Sequence, residues 1–119
     1  MNKGNISTQY DEHRKLATHL ESIYFEIEKL AKKKPSDRLS PLIVKKINHI
    51  IVIIRDQVTG DVFLDAIETL PIEGEQVRFD EALIILAELR SIMDRQWNSV
   101  EFKSYRRDIN VLHENQTMR

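Results

Sequence analysis

Leu16, Leu20, Ile23, Ile27 and Leu30 recur at alternating steps of four and three, and Tyr10, Ala17, Tyr24 and Ala31 form a second stripe beside them. That spacing makes one continuous apolar face only if the chain is an α-helix, and a face this wide must be covered by other elements. Nothing interrupts the pattern until Lys32-Lys33-Lys34, which places cations at the negative end of the helix dipole. Pro35 then disfavours a helical conformation at Lys34. One long first helix is therefore expected, and the rest of the chain has to bury it.

The rest favours helices too. Only three Gly and three Pro punctuate 119 residues, which leaves few turns and long regular segments, and the length is that of a single domain, here taken as residues 1–119. Ser40-Pro41 reads as an N-cap followed by proline at the first helical position, and Ile43, Ile47, Ile50, Ile54 and Val58 keep helical spacing as far as Gly60. A hairpin is the rival reading for 47–64, because Ile50 to Ile54 is apolar on every side and Thr59-Gly60 can turn the chain into Val62-Phe63-Leu64. Helix is preferred, since the punctuation marks out a unit longer than a typical strand.

Asp61 is placed to cap a short helix through Phe63, Ile67 and Leu70, stopped by Pro71. Phe79, Leu83, Leu86, Leu89, Met93 and Trp97, widened by Ile85 and Ile92, mark a further helix. Asn98-Ser99-Val100-Glu101 resembles a capping box, after which Val100, Tyr105, Ile109 and Leu112 continue an apolar face. The expected fold is all-α, a four- to five-helix bundle of antiparallel up-down type.

Composition removes several functions. With no Cys there is no disulfide, thiolate zinc site, iron–sulfur cluster or cysteine nucleophile. A chain so poor in glycine holds no phosphate-binding loop and no nucleophile elbow. The first residues are polar and resemble no signal or transit peptide, and the longest apolar run, Ile50 to Ile54, is far too short for a membrane span. A cytoplasmic protein without a membrane partner is expected.

His13, His19, His49 and His113 show neither i, i+4 pairing nor a Glu-x-x-His motif, so no metal site and no cofactor are expected. His13 continues the first seam, whereas His49 shares a polar face with Lys45. Paired carboxylates on neighbouring helices, the arrangement of the all-α nucleoside-triphosphate pyrophosphatases, are approached only by Asp65-x-x-Glu68.

Charge is segregated although the net charge is −1: Lys29 to Arg55 carries eight cations against Asp37 alone, and Asp61 to Glu88 carries eight carboxylates against Arg78 alone. Three readings stay open, namely two solvated faces, complementary patches in a self-associating dimer, or a basic platform for nucleic acid. The cations of the last reading are Lys32, Lys33, Lys34, Lys45, Lys46, Lys103, Arg106 and Arg107, with aromatics interleaved among those near the C-terminal end. If that end is helical, Tyr105 joins the core while Lys103, Arg106 and Arg107 face water.

Arg107-Asp108-Ile109-Asn110-Val111-Leu112-His113 resembles the Arg-x(4–6)-His signature of the HEPN superfamily, including the polar residue that follows the Arg. Arg14 and His19 have the same loose spacing, and the chain is assigned to no family on these residues. The resemblance implies a dimeric all-α bundle that cleaves RNA, with Arg107 on the phosphate and His113 assisting proton transfer or positioning the 2′-hydroxyl.

The favoured expectation is a non-enzymatic interaction module, adaptor or structural, that forms a homo-oligomer, as a dimer, and can also take a protein partner. Its interface is expected at Ile50, Val52 and Ile53, because the apolar run exceeds what one face of a helix can bury.

Overall fold

The long apolar seam does form one helix. The computed structural model describes residues 6–99 and 102–109, with side chains from Ser7 onward. Among these residues it holds α1 (Ile6–Lys33), α2 (Pro41–Gln57), α3 (Val62–Asp65), α4 (Phe79–Trp97) and α5 (residues 102–109), and no β-strand. The expected all-α bundle is what the chain forms. No helix among the described residues is long and apolar enough to cross a membrane.

Contacts run in opposite order along α1 and α4, so the two are antiparallel. Tyr10 and His13 meet Trp97, Arg90 lies over Tyr24, and the Asp80 N–H donates to the Pro35 carbonyl. The α2 helix is also antiparallel to α1, since Gln57 reaches Glu12 while His49 and His19 line one groove. It follows that α2 and α4 point the same way. Up-down alternation is thus interrupted between them, because residues 66–78 carry the chain back along α2 before α4 begins.

The segment 47–64 is helix and not hairpin as far as Gln57. Ser40 is the N-cap, its hydroxyl accepting the Ile43 N–H, with Pro41 in the first turn. Val44, Ile47, Ile50, Ile51 and Ile54 are buried. Their β-branched side chains carry only a weak propensity against helix, which burial on this scale outweighs. Val58 is the C-cap, and Gly60, at φ +78°, takes the left-handed turn into Asp61.

Two terminations differ from expectation. Asp61 does cap α3, accepting the Phe63 and Leu64 N–H groups, but α3 stops at Asp65 instead of running through Leu70. Further along, the Asn48 side-chain carbonyl on α2 accepts the Leu70 N–H at 2.6 Å and its amide donates to the Leu70 carbonyl at 2.9 Å, so the Leu70 backbone is paired outside any helix. Leu64 of α3 and Ile67 and Leu70 of the returning segment all reach the core.

At the far end Asn98 closes α4, its N–H bonded to the Asp94 and Gln96 carbonyls. Ser99, not Asn98, caps α5 by accepting the Phe102 N–H. Where α1 ends, the loop before α2 lies against the loop before α4, Leu39 N–H donating to Val77 and Phe79 N–H to Asp37.

Candidate functional site

Between α1 and α2 runs a groove of about 480 Å³, floored by Leu16, Ile50 and Ile53 and rimmed by Glu12, Lys15, His19, His49, Asp56 and Gln57. It exists because α2 uses two adjoining strips of its surface. Val44, Ile47, Ile51 and Ile54 turn into the core, while Ile53 sits at the strip's edge and is half-buried. Of the three expected interface residues, Ile50 is a core residue at 1% exposure that meets the groove only as its floor. Val52 is 54% exposed on the outer row of α2 that also carries Lys45 and His49. Five isoleucine and valine positions in succession cannot all point inward on a helix, and Val52 is the one left over.

The cations do not form one platform. Lys32, Lys33, Lys34, Lys45 and Lys46 are exposed and gather where α1 ends and α2 begins. Lys103, Arg106 and Arg107 lie on α5, which packs beside Tyr10 at the start of α1, about 35 Å away at 1.5 Å rise per residue. The basic end also meets acidic residues, because Arg38 pairs with Glu75 and donates to the Gln76 carbonyl, and Arg78 beside it pairs with Asp80 and Glu81. Lys45 and Lys46 make no ion pair among the described residues.

The α5 end holds an aromatic cluster. His13 and Tyr10 both stack on Trp97, at 5.3 and 5.2 Å between ring centroids, and Phe102 meets Tyr10, His13 and Trp97 edge-on. His13 is buried at 2% exposure, with Nδ1 3.1 Å from the Gln96 side-chain oxygen. Desolvation pulls its pKa below the ordinary value, outweighing the Gln96 hydrogen bond and the Asp94 charge, and the nearby Arg106 acts in the same direction as burial.

Arg106 is corrected from its expected place in water. Its guanidinium lies 4.2 Å over the Trp97 ring, with Nη1 buried and making no hydrogen bond. Tyr105 packs on Tyr10 as expected, Lys103 and Arg107 are exposed, and His113 lies outside the described residues. The arrangement of His13, Trp97 and Arg106 is that of a packed joint between α1, α4 and α5.

Among the described residues no three His, Asp or Glu side chains gather to hold a metal ion. Asp65 ends α3 and Glu68 lies beyond it, so that pair does not share a helix face. The exposed apolar residues that the periodicity argument passed over are Phe25, Leu42, Val62, Ile72 and Ile84, and Phe63, expected on the apolar stripe of the short helix, is exposed as well. Ile84 carried a signal, since it falls off the stripe that runs from Phe79 to Trp97. Compared with known protein families, curated proteins and solved structures, the chain matches none.

Proposed function

We propose that this protein is a non-enzymatic α-helical interaction module that acts as a homo-oligomer, through the groove between α1 and α2. The observation that carries this is surplus apolar surface on α2, where Ile50 and Ile53 join Leu16 along the groove while Val52, outside it, is left 54% exposed. An apolar groove floor and an exposed apolar side chain on the same helix both gain from being covered, and a helix laid in such a groove is a common way to cover it. The test is light scattering coupled to size exclusion over a range of concentrations, for the wild type and Val52→Asp. A mass of two or more chains that falls to one in the variant, with helix content unchanged, is the expected result. A wild type that stays monomeric at high micromolar concentration removes the proposal.

Nucleic-acid binding is the second reading, favoured by the exposure of Lys32, Lys33, Lys34, Lys45 and Lys46 at one end of the bundle. Its signature is affinity for an oligonucleotide that falls steeply as salt is added, and no binding at low ionic strength excludes it. RNA cleavage by Arg107 and His113 is the enzymatic form of that reading. It requires a ribonuclease activity that His113→Ala abolishes without unfolding the bundle.

A further inference from the structure

Among its described residues α5 holds to the bundle by three side chains. Phe102 is buried against Tyr10, His13 and Trp97, Tyr105 packs edge-on against Tyr10, and Arg106 lies over Trp97, while the other described side chains of the helix are exposed. None of the three belongs to the continuous core that joins α1, α2 and α4 with Leu64, Ile67 and Leu70. The contact is a satellite cluster, of the kind that can open while the main core stays closed.

His13, the one polar side chain fully buried among the described residues, sits in the middle of this cluster, stacked on Trp97 and edge-on to Phe102. Charged groups face it from each element packed there: Arg14 of α1, which lines the same small cavity, Asp94 of α4 and Arg106 of α5. The titratable rings of Tyr10 and Tyr105 belong to the same cluster. A neutral imidazole is accommodated by the Gln96 side-chain oxygen, 3.1 Å from Nδ1. A proton added to it would place a second positive charge near Arg106 in a site closed to water. The Trp97 ring, which on its own favours a cation, already carries the Arg106 guanidinium at 4.2 Å. Arg106 has little reserve, because its buried Nη1 makes no hydrogen bond. Asp94 opposes these effects, and burial of the ring outweighs it.

We infer that α5 is an acid-released latch: protonation of His13 lifts Phe102, Tyr105 and Arg106 off the cluster and uncovers Tyr10, His13 and Trp97, while α1, α2 and α4 stay packed. The linkage runs in both directions. With α5 away, the imidazole regains water and loses the Arg106 charge, so the released form binds the proton more strongly than the docked one. Falling pH therefore draws the chain towards release. A single copy suffices for this device, so it stands or falls independently of the self-association proposed above.

The test is hydrogen exchange of the whole chain at pH 7 and pH 5, corrected for the intrinsic exchange rate. Residues 102–109 are expected to lose protection by about threefold or more at the lower pH, through an opening of their own, with α2 and α4 remaining far better protected than α5. His13→Phe, and His13→Leu as the smaller replacement, should each leave the protection of α5 equal at the two pH values. Wild-type protection of α5 that does not change with pH overturns the latch, as does a loss that persists in the His13 variants. Protection of α5 equal to that of α2 and α4 at both pH values also overturns it, because the helix would then open only with the whole fold.

Discussion

His13 occupies a seam position of α1 that an aliphatic residue would fill, and its neutral ring is what fits between Trp97 and Phe102. Its folded pKa lies below the ordinary value of 6.5, so the unfolded chain binds the proton more readily. Its contribution to stability is therefore complete above that value and is lost as pH falls through the folded pKa. The melting temperature should drop between pH 7 and pH 5, and His13→Phe should flatten that slope, as thermal denaturation at both pH values would reveal.

Asn48 is the other residue whose role is set by its neighbours. Replacing it with Ala leaves the Leu70 N–H and carbonyl without partners, at a cost of about 1–3 kcal/mol. Urea denaturation of Asn48→Ala checks this, and an unchanged midpoint would mean that water takes over both bonds. Partial burial of Asp61 opposes its charge, but the Arg95 guanidinium and the Leu64 and Phe63 N–H groups outweigh that and hold its carboxyl below the usual range. Neither Asn48 nor the Asp61–Arg95 pair was visible from spacing alone, since the partners are far apart in the chain.

At the scale of elements, α1, α2 and α4 were readable because each carries a long amphipathic period with recognisable punctuation. Ser40 acts as the N-cap that Ser-Pro announces, and Ser40→Ala should cost about 1 kcal/mol, measurable as a lower denaturation midpoint. The short elements were less legible. The α3 helix ends at Asp65, short of Leu70, whose backbone pairs with Asn48 instead, and the cap before α5 is one residue later than the capping-box pattern suggests, because Ser99, not Asn98, accepts the Phe102 N–H.

The hold on α5 is concentrated in Phe102, buried against Tyr10, His13 and Trp97. Phe102→Ala removes a side chain of the kind worth about 3–5 kcal/mol in a core. The expected outcome is release of α5 with α1, α2 and α4 intact, seen as lost hydrogen-exchange protection in residues 102–109 and altered Trp97 fluorescence. Loss of protection throughout the chain would show instead that α5 is an integral part of the core.

For the whole molecule, the direction of the chain matters most. The returning segment 66–78 sets α2 and α4 parallel and brings the loop before α4 against the loop before α2, where Arg38 meets Glu75. The basic and acidic stretches of the sequence are thus partly paired at one end, while Lys45 and Lys46 remain outward on α2. Cations that looked like one set are divided between the two ends of α1. A single nucleic-acid platform therefore predicts equal losses of oligonucleotide affinity from neutralising Lys45 with Lys46 or Lys103 with Arg107. Two separate ends predict that only one of these pairs matters, which binding titrations of the two double variants would distinguish.

The sequence carries enough to say that the chain is helical, where the long helices lie and which faces they bury, because helical period and capping are encoded within a few residues of each other. It also implied that α2 carries more apolar surface than one face can hide. That Val52 and not Ile50 is left outside, that Arg106 lies on Trp97, that Asn48 pairs with Leu70 and that Ile84 faces water emerged from packing alone. Each of those depends on which distant element comes to lie alongside, and local spacing does not specify that.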